Sequence, residues 1–336
     1  MEQSNRLSYV DTAKYLALFF VILSHSGISG TILSKFLFTF HVPLFCVYSG
    51  YVRKPVGKYA VGGGKLLLVN RFQRLYVPYL IYAFILGNRP DSIEMITNVL
   101  YGSIQSISLV TVPHLWFLPC FFLSVVIFDF LERVCKDSKW LHFFAVVVLI
   151  SLGYVLSRDF LGEKLPKGLP FGLNSALVIS VLLYMGKFIR FIMDFIVSRF
   201  HLEKRWLLFV LSCLIGLVAY GVTIPNMTCH VNMAYATYGI YPLFYVTVFL
   251  MSIAVLFFAK ALDNSIFSVC GRFTLPIYAF HLPVLGVVSL IVNKFVHLDI
   301  IPFGLLVSIF TLGLTTIAIF PIKRFAPNLA GIFKTK

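Results

Sequence analysis

Uncharged apolar runs recur along this chain at the length needed to cross a lipid bilayer. Tyr15–Ser34, Phe36–Val52, Trp140–Ser157, Gly168–Gly186, Phe273–Asn293 and Ile300–Ile322 contain no Asp, Glu, Lys or Arg. About 20 such residues in a helix span the hydrocarbon core. The stretch Trp206–Ala259 is long enough for two more crossings, broken near Pro225–Tyr238, and shorter runs at Leu75–Asn88 and from His114 bring the count to ten. With 59% hydrophobic and 12% charged residues, composition excludes an ordinary soluble domain. In lipid every backbone polar group needs an internal partner, and runs of this length select helices over strands. The sequence therefore predicts an all-α integral membrane protein of about ten transmembrane helices. It reads as a single transmembrane domain over 1–336, ending in a short basic cytoplasmic tail at 326–336. Residues 88–113 read as an external loop touching the interface, because Ile93–Val112 is too polar and too glycine-broken to span.

The net charge of +15 invites a nucleic-acid reading, which the distribution of charge removes. With the amino terminus inside and ten crossings, the cytoplasmic segments hold 21 of the 28 basic residues. They are Arg6; Arg53, Lys54, Lys58, Lys65, Arg71 and Arg74; Arg133, Lys136 and Lys139; Lys187, Arg190, Arg199, Lys204 and Arg205; Lys260 and Arg272; and Lys323, Arg324, Lys334 and Lys336. That is the positive-inside bias, and the opposite orientation reverses it. Both termini are expected in the cytoplasm, and no nucleic-acid partner is expected. Arg6 is followed by a span without a small-residue cleavage exit, so no cleavable signal is expected. The six cysteines form no CxxC pair, and neither a disulfide framework nor a metal site is inferred.

The stretch 9–27, which leads into the first run, is unusual in carrying Asp11, Lys14 and His25. Lys14 to His25 is 11 residues, which on an α-helix returns to within roughly 20° of the same face, about 16 Å further along the axis. Asp11 lies about 40° from that stripe. An acid and a base thus sit one turn apart at the cytoplasmic end, with a histidine deeper on their face. Bland roles exist for both: Lys14 as a snorkelling end residue paired to Asp11, His25 as an interhelical hydrogen bond. Other polar residues arrive in similar settings, however. His41 lies in FHVPLFCVYSGY, His114 opens HLWFL, and His281 sits mid-span in GRFTLPIYAFHLP. Arg71 and Arg74 share a face at i,i+3 if their segment is α-helical, and could clamp a polyanion or contact lipid headgroups. Pro43, Pro78, Pro119 and Pro276 fall within or beside spans, where broken backbone can line a cavity.

The order KYLALFFVILSH, FHVPLFCVYSGY, RFQRLYVPYL, HLWFLPCFF, PFGLNSALVISVLLYMGK, GRFTLPIYAFHLPV resembles the membrane acyltransferase-3 family. Within it, the lysine form of the first motif and the short chain are most similar to the fucose 4-O-acetylase-like members. The resemblance runs from about Arg6 to Pro283. The family's basic-residue-x10-His motif falls on Lys14 and His25, and its Arg-x-x-Arg motif on Arg71 and Arg74. It implies a ten-span fold in the inner (cytoplasmic) membrane that uses cytoplasmic acyl-CoA, usually acetyl-CoA, to acylate a hydroxyl of a sugar or cell-surface glycan. The additional SGNH-type domain of longer relatives is not expected here.

The residues suit that chemistry. Acyl transfer to a hydroxyl needs a base near the thioester, and a buried histidine tends to remain neutral and able to accept a proton. CoA brings several phosphate charges, which suit Lys14, Arg71 and Arg74 as donor-binding residues. His25 is then a general base or a transient acyl carrier, and Asp11 orients Lys14. His41, His114, Trp116, Tyr278 and His281 are second candidates for lining the substrate site. The competing class is a multi-span transporter or flippase of a sugar-containing substrate, which intramembrane histidines and broken helices would also serve. The scarcity of carboxylates within the spans counts against a proton-coupled carrier. The acceptor's identity and the oligomeric state stay open at this level.

Overall fold

The computed structural model describes residues 7–53, 63–87, 92–162, 164, 167–200, 204–262 and 264–330. Arg6, Lys54, Lys58, Lys334 and Lys336 of the expected cytoplasmic set, and 331–336 of the expected tail, lie outside the described residues. The described chain is helical, with no strand among these residues beyond an isolated bridge between Asn232 and Thr237.

Along the chain the helices are α1 (Ser8–Ser24), α2 (Ile32–Phe38) and α3 (His41–Tyr51). After them come α4 (Gly63–Arg71), a π-helical turn Phe72–Tyr76, α5 (Val77–Ile85), α6 (Ile93–Tyr101) and α7 (Ile104–Ile107). Next are α8 (Phe117–Cys135), α9 (Lys139–Val155), α10 (Arg158–Leu161), α11 (Leu173–Phe200) and α12 (Arg205–Thr223). The last four are α13 (Tyr241–Leu262), α14 (Ser265–Cys270), α15 (Thr274–Phe295) and α16 (Ile300–Phe325).

Among the described residues, seven segments are long and apolar enough to cross a membrane: Ile32–Tyr51, Pro113–Cys135, Pro170–Ile196, Arg205–Thr228, Tyr241–Leu262, Ser265–Phe295 and Ile300–Phe325. The other three expected crossings fall on shorter elements. α1 and α9 have 17 residues each, and α5 has nine. The first expected span also moves: the helix runs Ser8–Ser24, not Tyr15–Ser34. Lack of charge does not make a segment helical, and here two Ser-Gly pairs break it. The hydroxyls of Ser24 and Ser26 donate to the Val21 and Leu23 carbonyls at 2.7 and 2.8 Å. Gly27 and Gly30 then adopt φ +86° and +84°, backbone that favours glycine. The loop at 88–113 carries α6 and α7, of nine and four residues, both too short to cross.

The described chain forms two compact units. The first holds residues up to Val52, Met185–Val231 and Gly239–Phe320. Its centre is α1, packed against α3, α13, α14 and α15. An apolar helix with little one-sidedness is buried all round, and Val10, Ala13, Ala17, Leu18, Val21 and Ile22 are all at or near zero exposure. α12 and α13 pair along their length, stitched by Ser212 Oγ to the Ala254 carbonyl at 2.8 Å and by Thr223 and Thr247 hydroxyls 2.8 Å apart. Small residues bring backbones together in such bundles. At Gly186 a Cβ would overlap the Val47 carbonyl, so that turn of α11 lies directly on α3.

The second unit holds Arg53–Tyr184, Asn232–Tyr238 and the chain beyond Pro321. Val125 and Phe128 of α8 and Leu183 of α11 form its packed centre. Asp159 at the start of α10 accepts the Tyr238 backbone N–H at 2.6 Å, which fastens the segment 232–238 within this unit.

Candidate active site

α1 carries charge at one end and a histidine at the other. In its first turn Asp11 is 3% exposed. Lys14 Nζ lies 3.7 Å from Asp11 Oδ1, the i,i+3 pair that the helix repeat requires. The second carboxylate oxygen, Oδ2, is 3.8 Å from Arg272 Nε. That contact is supported by the backbone: Gly271 packs on Asp11 so closely that a Cβ would overlap the Asp11 carbonyl. Arg272 was not singled out from sequence as a partner of this acid. The available signal was a lone buried carboxylate in a run whose neighbours are cationic.

His25 is the C-cap of α1, its N–H bonded back to the Ile22 and Leu23 carbonyls. It therefore sits where the helix ends and not mid-span. Two further imidazoles meet it there. The His25 ring is 5.8 Å from His281 on α15 and 6.3 Å from His41 on α3, centroid to centroid. Phe38 closes the group, 6.2 Å from His25 and 5.0 Å from His41. His25 is the exposed member, whereas His41 and His281 are buried. His41 Nδ1 lies 2.8 Å from the Leu37 carbonyl and His281 Nδ1 lies 2.6 Å from the Tyr278 carbonyl. A carbonyl only accepts, so Nδ1 carries the hydrogen in both rings and Nε2 is the basic nitrogen. The Tyr278 ring stands 5.6 Å from His281. Four of the sequence candidates, His25, His41, Tyr278 and His281, thus gather at one place, with Asp11 and Lys14 at the opposite end of α1.

The remaining candidates belong to the second unit and have their own surroundings. His114 and Trp116 are buried in the 3-10 turn Pro113–Trp116 that leads into α8. Arg71 ends α4 and Arg74 lies in the π-helical turn. A π turn is wider than an α turn, so these two do not share a face as an α-helical i,i+3 pair would. Arg71 Nε donates to Asp129 Oδ2 at 3.1 Å, whereas Arg74 is exposed. The other Asp129 oxygen, Oδ1, accepts from Arg53 Nη1, whose guanidinium also lies 5.1 Å over the Phe128 ring. Burial pushes the Arg53 guanidinium down to about 10 against the opposing pull of Asp129, so it stays charged at neutral pH. A cleft of about 200 Å³ borders this network, lined by Leu67, Leu68, Arg71, Val126, Asp129, Phe130 and Arg133. Among the described residues no group of three His, Cys, Asp or Glu side chains is arranged to hold a metal ion.

Chemically, the first unit offers a cationic end suited to phosphate and, at the far end of the same helix, a histidine backed by two more. No curated protein sequence matches the chain. A family model described as an acyltransferase domain, that of the acyltransferase-3 family, matches residues 7–321, which include every candidate named above. The chain belongs to the acyltransferase-3 family.

Proposed function

We propose that this protein is a multi-pass O-acyltransferase of the cytoplasmic membrane. It moves an acyl group, acetyl as the first expectation, from cytoplasmic acyl-CoA to a hydroxyl of a sugar or cell-surface glycan. The observation that carries the reading is the histidine trio at the C-terminal end of α1, on a helix whose other end is cationic. Lys14 and His25 are 11 residues apart, about 16 Å along a helix axis, the scale of a pantetheine arm between its phosphates and its thioester. In the proposed step the acceptor oxygen attacks the thioester carbonyl while His25 removes the hydroxyl proton. The tetrahedral intermediate collapses, the carbon–sulfur bond breaks, and the leaving thiolate recovers the proton as CoA–SH. Arg71 and Arg74, in the second unit, are proposed on their own charge as contacts for a polyanion such as the donor's phosphates. A ten-crossing topology with both termini in the cytoplasm completes the proposal, supported by the distribution of basic residues. Cysteines placed at Lys65 and Lys334 are then labelled from the cytoplasm, and those at Lys164 and Asn226 from outside.

The decisive measurement is release of CoA, or transfer of label, from radiolabelled acetyl-CoA by purified protein. His25→Ala is expected to abolish turnover while CoA affinity and thermal stability stay near the parent's, because the base matters in the transition state. Full turnover by a stable His25→Ala protein would return His25 to a structural role.

A further inference from the structure

α1 and the segment leading into α15 repeat one arrangement. On α1, Lys14 precedes His25 by 11 residues; on the other, Arg272, in the 3-10 turn Gly271–Phe273, precedes His281 of α15 by nine. The two cations meet on one carboxylate, Lys14 on Oδ1 and Arg272 on Oδ2 of Asp11. The two imidazoles meet at the far end, with ring centroids 5.8 Å apart. Both segments therefore run the same way, cation first and histidine last, and α1 packs directly on α14, the Gly271–Phe273 turn and α15.

Two cations share this one buried acid. Arg272 is the more exposed of the two, its side chain 42% exposed against 19% for Lys14. Asp11 contacts it through Nε, and among the described residues no other hydrogen bond or ion pair engages its side chain. The Nη fork, the part of arginine that matches phosphate geometry, is thus available to a ligand. Gly271 fixes where the residue starts, because its close approach to the Asp11 carbonyl sets the backbone against α1 at this level.

We infer that Arg272 is a third cation of the acyl-donor site, gripping the phosphates of CoA together with Lys14, with Asp11 as the shared counter-ion that aligns both. This rests on the acyltransferase reading and extends it to a residue outside the two family motifs. A donor anchored between Lys14 and Arg272 lies along both segments, its thioester brought to the end where His25 and His281 meet.

The test compares acetyl-CoA with S-acetyl-pantetheine, which carries the same thioester and no phosphate, in purified parent, Arg272→Gln and Arg272→Lys proteins of matched thermal stability. With acetyl-CoA, Arg272→Gln is expected to raise KM about 10-fold or more with little change in kcat, the loss of one charge-assisted contact, and Arg272→Lys to recover part of it. With S-acetyl-pantetheine, parent and Arg272→Gln are expected to have equal kcat/KM. An unchanged KM for acetyl-CoA, or an equal loss on both donors, overturns the role of Arg272 while the acyltransferase reading stands. A parent protein that neither binds CoA nor releases it from acetyl-CoA overturns that reading and this inference with it.

Discussion

Two buried carboxylates organise this protein, and each is shared by two cations. Asp11, in the first unit, lies 3.7 Å from Lys14 and 3.8 Å from Arg272. Asp129, in the second, takes Arg71 at 3.1 Å and Arg53 in a closer hydrogen bond. The Arg53 side chain is only 14% exposed and is stacked on Phe128. Short, directed bonds to two guanidiniums satisfy a carboxylate that could not otherwise be taken out of water. Longer contacts, at 3.7 and 3.8 Å, hold their cations less firmly, and the more exposed of the two, Arg272, is left able to turn to an incoming anion. The arrangement at Asp129 suits holding a fold together, and that at Asp11 suits holding a ligand.

The sharpest way to break that comparison is to remove each acid. Asp129→Ala strands Arg53 and Arg71, and breaking a buried pair this way costs on the order of 3–5 kcal/mol. It is expected to lower the thermal unfolding midpoint steeply and to cut the yield of folded protein. An Asp129→Ala protein that melts with the parent would show that its network is no tighter than that of Asp11.

Next in size is a split between the two arginines of the second unit. Both Arg71→Ala and Arg74→Ala should weaken acetyl-CoA binding if both touch the donor, by about 1.5–3 kcal/mol for a well-made charge-assisted contact. Only Arg71→Ala should also lower thermal stability, because Arg71 is bonded to Asp129 and Arg74 is exposed. Unchanged CoA binding in the double variant would assign the pair to topology or to lipid contact.

A smaller effect comes from the backbone beneath Asp11. Gly271→Ala places a methyl on the Asp11 carbonyl, and such overpacking costs about 1–3 kcal/mol. It is expected to push the Arg272 turn off α1 and raise the acetyl-CoA KM, with a milder loss of stability than Asp129→Ala. A KM matching the parent's would separate donor binding from this packing.

The mildest change is Asp11→Asn. The amide keeps the size of the carboxylate and one acceptor oxygen, the contacts it replaces are long at 3.7 and 3.8 Å, and both cations remain to meet phosphate. Kinetics and melting curves on one preparation would check it. A collapse in stability like that expected of Asp129→Ala would erase the distinction between the two sites.

Much of this architecture is legible in the residues. Charge-free runs announce helices in lipid because an unpaired charge or backbone group there is costly. The placement of Lys14 and His25 on one helix follows from the α-helical repeat alone. The break between Pro225 and Tyr238 is visible as well, and there the chain leaves α12 for two 3-10 turns before α13. Local features end where geometry becomes non-standard. Nothing in RFQRLY signals the π turn that parts Arg71 from Arg74, and an uncharged stretch at Tyr15–Ser34 conceals the turn at Gly27 and Gly30.

The sequence by itself determined the solvent, the helical class, the family motifs and the spacing between cation and histidine on α1. These are local or additive properties, set by hydrophobicity, charge and the 3.6-residue repeat. Tertiary structure alone decided that Arg272 joins Lys14 on Asp11, that His41 and His281 come to His25, and that Asp129 gathers Arg53 and Arg71. Each of those meetings joins elements far apart in the chain. Which faces of uniformly apolar helices come together depends on packing, on where a glycine lets two backbones touch, and on which buried charge must find a partner.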